Sequence, residues 1–294
     1  MSEKLFDRVA LIGIGLIGSS LARVLRRDSP DTTIIACARR PETLAAVERL
    51  DLADETTHDP AIAAADADLV VIATPISAYA ELGRQIGPVL KPGAILSDVG
   101  SVKEAVIRDL GPFVPPGVHF VPGHPVAGTE HSGPEAGFAE LFRDRWCILI
   151  PLPETDAAAV AKIGQMWEGA GMRVVTMNAA HHDRVLAMTS HLPHLIAYTI
   201  VGTATSLEES LKSEVIAFSA SGFRDFTRIA ASDPVMWRDI FLNNREAVLE
   251  ILQRFSEDLT ALQRAIRWGE GDTLQELFTR TRAIRRSIIE AKQA

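Results

Sequence analysis

The sequence predicts an α/β unit over residues 1–177, built on a doubly wound, mostly parallel sheet, followed by an all-α unit over residues 178–294. Three observations predict it. Short apolar runs alternate with helical patterns through the first half. Those runs are near-continuous Val, Ile, Leu and Ala, as in Leu69-Val70-Val71-Ile72-Ala73, which suits parallel strands covered on both faces. From Asn178 onward the strand signals stop and long helical periodicities take over. The 294 residues suit two domains on a prior of roughly 100–200 residues each.

The first strand, residues 9–12, runs into Gly13-Ile14-Gly15-Leu16-Ile17-Gly18, and a helix follows with Leu21, Ala22 and Leu25 on one face. This strand, Gly-x-Gly-x-x-Gly and helix form a Rossmann-type dinucleotide cradle. Gly13 permits the tight turn, Gly15 lets the backbone approach a pyrophosphate, and Gly18 lets the helix lie close on the sheet. The helix N-terminus at Leu16 and Ile17 then faces the phosphates with unpaired N–H groups. Further strands are expected at 33–38, 69–74, 94–99, 119–122, 146–152 and 173–177, with Pro92-Gly93, Pro116-Gly117 and Pro122-Gly123 marking loops.

In the helical half, residues 182–206 read as one buried helix, too interrupted by Thr189, His191, His194 and Thr199 to cross a membrane, and kinked at Pro193. Asp233 and Pro234 suit an N-cap and first helical position. A long helix should follow, with Phe241, Val248, Leu252, Phe255, Leu259, Leu262 and Ile266 forming a seam, before Gly269 and Gly271 end it. Asp272 can cap a last helix. The seam suits internal packing or a homodimer interface equally.

Net charge of −8 and a pI near 5.5 argue against a nucleic-acid partner. The N-terminus has no signal-peptide pattern, so a cytoplasmic protein without membrane attachment is expected. Cys37 and Cys147 fall inside apolar strands and read as small hydrophobes.

Ligands of open parallel sheets bind outside the carboxyl ends of the strands. Polar stretches there are Thr74-Pro75, Asp98-Val99-Gly100-Ser101-Val102-Lys103 and Gly123-His124-Pro125-Val126-Ala127-Gly128-Thr129-Glu130. Ser101 suits either a helix cap or a ligand contact. His124, among Gly and Pro at a strand terminus, suits a general base. The helical half offers Asp183, His191 and His194; Asp183 and His194 would share a face on the order of 16 Å apart along an unbroken helix. His191 and His194 lack further ligands at metal spacing, so no metal is expected. Arg224 and Arg228, four apart, suit either a dicarboxylate ligand or a surface ion-pair face.

With these residues assembled, the chain resembles the prephenate/arogenate (cyclohexadienyl) dehydrogenases of tyrosine biosynthesis over nearly its whole length. The resemblance is carried by the glycine loop, the Asp98–Lys103 and Gly123–Glu130 stretches, Ser190-His191-Leu192-Pro193-His194, Gly222-Phe223-Arg224-Asp225-Phe226-Thr227-Arg228-Ile229-Ala230, Asp233-Pro234 and Trp237. It implies that His124 takes the proton of the ring hydroxyl, with Ser101 bridging hydroxyl and nicotinamide. It also implies that His194 seats the substrate and Arg228 holds a carboxylate. Asp183, Glu130 and a Trp237 from the partner subunit would act behind or around the substrate, and the helical domain would make a homodimer. Ala220-Ser221-Gly222 departs from the glycine-rich form of many relatives.

Two rivals are a β-hydroxyacid or 6-phosphogluconate-type dehydrogenase and a non-enzymatic nucleotide sensor. The first would want a lysine base, which the Lys212 region does not resemble. The sensor would have little use for His124, His194 and Arg228 together. At the end of the second strand, Ala36-Cys37-Ala38-Arg39-Arg40 lacks the acid that binds an NAD ribose. Arg39 and Arg40 suit a 2′-phosphate, so NADP is the expected cofactor, with NAD possible.

Overall fold

The structure, a computed structural model, describes residues 4–206, 214 and 221–290. Lys212 and Ala220 lie outside them. Residues 1–245 form one compact unit and 246–294 a second.

The first unit opens as a parallel sheet wound from its middle. Its elements are β1 (Arg8–Ile12), α1 (Leu16–Asp28), β2 (Thr33–Cys37), α2 (Pro41–Arg49), β3 (Glu55–Thr57), α3 (Pro60–Ala64), β4 (Leu69–Ile72), α4 (Tyr79–Ile86), β5 (Ile95–Asp98), α5 (Lys103–Leu110) and β6 (His119–Val121). Strand order is β3-β2-β1-β4-β5-β6, all parallel. The order reverses between β1 and β4, which opens a crevice at their carboxyl ends. Alternate residues of each strand feed opposite faces: Leu11 and Val71 pack toward Leu21, Leu25 and Trp167, while Ile12 and Ile72 pack toward Tyr79, Ile86 and Leu110.

A second sheet departs from the expectation of one continuous array. Pro122 ends the sixth strand, and Gly123–Pro125 forms β7, antiparallel to β8 (Trp146–Leu149), which pairs parallel with β9 (Arg173–Thr176) across α6 (Ala157–Gly169). The backbone thus changes sheets at the residues flanking His124. Both sequence cysteines are buried and free.

The expected 182–206 helix is three pieces: α7 (Ala179–Leu186), a π turn at Ala187–His191, and α8 (Leu192–Thr205). Pro193 occupies the first turn of α8. The widened turn before it relieves the clash a proline ring makes with the carbonyl four residues earlier, so the irregularity lies ahead of the proline. Ala179–Thr205 is long and apolar enough to cross a bilayer by composition. Here, however, α7 packs against α5 and buries His182 and Asp183.

Next come α9 (Ser221–Thr227), a 3-10 turn at Arg228–Ala231, and α10 (Pro234–Asn243), whose cap Asp233 accepts from Met236 N at 2.8 Å. The long helix expected from Pro234 breaks at Asn244 because its side chain is used elsewhere: Nδ2 donates to Asp183 O at 2.8 Å and meets His191 Nδ1 at 3.0 Å. The second unit consists of α11 (Arg245–Trp268, its first residue closing the first unit) and α12 (Gly271–Glu290), with Gly269 at φ +69° between them. On the expected seam, Val248 is buried, whereas Leu259 is 54 % and Ile266 68 % exposed.

Candidate active site

The cradle forms where β1 meets α1. Gly13 adopts φ +99°, and a Cβ there would stand 2.6 Å from Ala73 O. At Gly18 a Cβ would stand 2.1 Å from Gly13 O, so both positions are closed to any side chain. Gly15 is different: a Cβ would meet nothing of the protein within 4 Å. Its lack of a side chain serves the space outside the chain. Gly15 is also the N-cap of α1 and makes no side-chain cap bond, which leaves the N-terminal amides of Leu16 and Ile17 for an anion. Thr74, followed by exposed Pro75, packs its Cγ2 against the Gly13 turn from the end of β4. These residues fit a dinucleotide pyrophosphate. Arg39 and Arg40 are exposed at the end of β2, with no acid between them and the strand.

His124 stands on β7, paired with Ile148, and is buried. Its Nδ1 lies 2.8 Å from His182 Nε2, and His182 Nδ1 lies 2.7 Å from Asp183 Oδ1. The Asp183 carboxylate also accepts the first free amides of α5, from Lys103 N at 2.7 Å and Glu104 N at 2.9 Å. These contacts fix the protons in sequence. A carboxylate accepts only, so His182 carries its proton on Nδ1 and presents a lone pair at Nε2. His124 must then donate through Nδ1, leaving the lone pair on its own Nε2. Burial, followed by the nearby His182, Lys103 and His191, holds the His124 pKa well below the usual histidine value, so the ring is a neutral base at neutral pH. His182 is lowered as well, chiefly by burial.

Beneath the base lies a fully buried ion pair. Lys103 Nζ reaches both Asp98 oxygens, at 2.9 and 2.7 Å, and donates to Gly123 O. Asp98 further accepts from Gly100 N, Gly123 N and the Tyr79 hydroxyl. This ties the β5–α5 turn to the strand carrying His124. Within that turn Val102, not Ser101, is the N-cap, and Asp183 satisfies the helix amides. The cap reading of Ser101 therefore fails, and its hydroxyl has no protein partner among the described residues.

Around this centre His194 donates Nδ1–H to Ser190 O at 2.8 Å, which leaves its Nε2 lone pair for a ligand. Its ring stacks on Trp237 at 3.6 Å, and its pKa is lowered by burial and the nearby Arg228. Trp237, expected from the partner subunit, is supplied here by the same chain and is itself buried. Asp183 and His194 do not share a face: the π turn between them lets Asp183 turn to α5 while His194 lies on Trp237. With all three of its contacts internal, Asp183 supports the site instead of touching substrate. Arg228 Nη1 pairs with Glu130 Oε2 at 3.0 Å and remains 60 % exposed. Arg224 is exposed on α9, which ends before Arg228, so the two arginines stand on successive, differently wound turns. The loop carrying Glu130 is pinned to α1 by Arg23 Nε to Gly137 O at 2.9 Å and Phe138 N to Ser20 Oγ at 3.1 Å. His182 is the functional residue that sequence reasoning missed; its signal was the adjacency of an imidazole to Asp183.

A cradle for a dinucleotide beside a buried neutral histidine base defines an oxidoreductase that works with a nicotinamide dinucleotide. Comparison with known proteins narrows the class. The prephenate dehydrogenase nucleotide-binding domain matches residues 21–176 and the prephenate dehydrogenase dimerization domain residues 178–280. The cyclohexadienyl dehydrogenase of Zymomonas mobilis is 42 % identical over 96 % of each chain. The prephenate dehydrogenase of Bacillus subtilis is 33 % identical over 92 % of this chain and 72 % of its own. The crystal structure of Aquifex aeolicus prephenate dehydrogenase with hydroxyphenyl propionate and NAD+ superposes with a TM-score of 0.89 at 32 % identity, covering 98 % of this chain and 99 % of that one. The chain belongs to the prephenate dehydrogenase family.

Proposed function

We propose that the protein catalyses the oxidative decarboxylation of prephenate, or of its amino counterpart arogenate, to 4-hydroxyphenylpyruvate or tyrosine. The observation that carries the proposal is the Asp183–His182–His124 relay, which presents a neutral imidazole Nε2. The substrate has a hydroxyl on ring carbon 4 and a carboxylate on carbon 1. His124 Nε2 takes the hydroxyl proton as carbon 4 gives up hydride. The bound dinucleotide supplies the hydride acceptor. The carbon 1 carboxylate leaves as carbon dioxide, its bonding electrons complete the aromatic ring, and the phenolate so formed takes its proton back from His124. A protonated His124 would instead drive the hydroxyl out as water, so the lowered pKa protects the outcome as well as the rate. As the imidazolium forms, its Nδ1–H stays bonded to His182, whose other nitrogen is held by Asp183, in the manner of a catalytic triad. Ser101 bonds the same hydroxyl, His194 Nε2 accepts from the substrate, and Arg228 holds a carboxylate after parting from Glu130.

Arg39 and Arg40, with no acid at the end of β2, favour NADP over NAD. The exposed apolar positions along α11 and α12, such as Leu259 and Phe278, support a homodimer through the helical half. A cytoplasmic location accords with such a biosynthetic enzyme. The test is the appearance of reduced nicotinamide with purified protein in four mixtures, prephenate or arogenate with NADP or NAD. Turnover with either acid supports the reaction and ranks substrates and cofactors; a folded protein that binds dinucleotide yet turns over neither acid defeats it.

A further inference from the structure

β2 and β3 are parallel with Cys37 opposite Thr57, so the chain leaving β3 arrives beside the chain leaving β2. The residue that arrives is His58, which is exposed. Its Nδ1 lies 2.8 Å from Ala38 O, and Ala38 N donates to Thr57 O at 3.2 Å. Because a carbonyl only accepts, His58 carries a proton on Nδ1, and its free nitrogen is Nε2. Ala38 directly precedes Arg39 and Arg40, at the strand end where dinucleotide enzymes place the group that reads the ribose 2′ position. The residues that follow β2, Ala38, Arg39 and Arg40, bring no carboxylate, and the imidazole is the one hydrogen-bond acceptor among the side chains of Ala38, Arg39, Arg40 and His58.

We propose that His58 reads the 2′ position of the cofactor's adenosine ribose: neutral, it accepts a hydrogen bond from a 2′-hydroxyl at Nε2; protonated, it donates one to a 2′-phosphate. The inference rests on the dinucleotide reading above and makes the choice between the two cofactors depend on pH. Only the cation has an Nε2 proton for the phosphate, so NADP binding takes up a proton, whereas NAD binding requires none. The charged and titratable groups about the ring are few. Asp59 follows it with its carboxylate turned to Ala61 N at 2.8 Å, the Cys37 thiol is buried on β2, and Arg39, Arg40 and Glu42 flank the loop and first turn of α2. A phosphate bound at Nε2 adds negative charge beside the ring, which favours the cation in the complex.

The test is calorimetric titration of the full chain, of His58→Gln and of the Arg39→Ala/Arg40→Ala double variant with NADP+ and NAD+ between about pH 6.5 and 8.5, above the second phosphate pKa near 6. Uptake of one proton on binding weakens NADP+ by at most about tenfold for each unit by which pH rises. The parent should show this loss for NADP+ and none for NAD+. His58→Gln should be flat for NADP+. A His58→Gln protein that keeps the parent's NADP+ slope overturns the inference, and weaker NADP+ binding by the arginine variant would still uphold the arginine reading in that case. A parent that binds neither nucleotide overturns both.

Discussion

Asp183→Asn tests the relay directly, because the carboxylate serves three donors at once: Lys103 N at 2.7 Å, Glu104 N at 2.9 Å and His182 Nδ1 at 2.7 Å. An amide has one acceptor oxygen and one donor group, so it cannot serve all three. With the amino group beside Glu104, a part-buried backbone N–H loses its partner. With the amino group beside His182, the amide donates to Nδ1 and His182 must carry its proton on Nε2. His124 then receives at Nδ1 and holds its own proton on Nε2, the nitrogen that should accept. The first orientation leaves the part-buried Glu104 N without its acceptor and the second the buried Lys103 N, at a cost of about 1–3 kcal/mol of stability. The second also removes the base, which is typically worth ~10²–10⁴ in rate. In that second orientation kcat falls by about that factor, normalised to folded protein, and in either one the dinucleotide dissociation constant stays within about twofold. The assay pairs initial rates of nicotinamide reduction with a separate dinucleotide titration. Turnover within about threefold of the parent together with an unchanged denaturant midpoint fits neither orientation and would refute the relay.

The other predictions follow from the same geometry. Gly15→Ala meets no protein atom and should leave the melting temperature unchanged while weakening dinucleotide binding at least tenfold, whereas Gly18→Ala, with its Cβ 2.1 Å from Gly13 O, should destabilise the fold itself; equal behaviour of the two in thermal melts would argue against the cradle. Lys103→Met strands the buried Asp98 carboxylate and should cost about 3–5 kcal/mol, read by denaturant unfolding; a stability change under about 1 kcal/mol would mean the pair is not held as described. Stability should also decline on acidification. His124, His182, His191 and His194 all have lowered folded pKa values, His191 to about 4, so the unfolded chain binds protons first. Their contribution is complete above the unfolded value near 6.5 and is lost as pH falls below it toward the folded values; melting temperatures that hold steady from about pH 7 to 5 would contradict this.

The parts of the molecule that were legible in the sequence are those in which one residue's chemistry suffices. Gly13, Gly15 and Gly18 declare a turn and a close approach by themselves, and the apolar β1, β4 and β5 declare a covered sheet. β3 and β7 stayed hidden because Glu55-Thr56-Thr57 and Gly123-His124-Pro125 have little apolar surface; their pairing with neighbours creates them. Asn244 likewise breaks a helix that its local pattern would continue, because its side chain is committed to Asp183 and His191. The same holds at the centre of the site. His124 was visible as an imidazole with no structural reason to stand among glycine and proline. What makes it a base with a defined lone pair is His182, 58 positions away, and Asp183, 80 positions beyond the Lys103 amide it caps. Spacing along the chain cannot reveal a proton order carried through contacts of that range. Asp183 therefore does two things with one charge. It closes the N-terminus of α5, and through His182 it decides which nitrogen of His124 is free. A substitution that satisfies the helix but not the imidazole, or the reverse, would separate folding from catalysis at a single position.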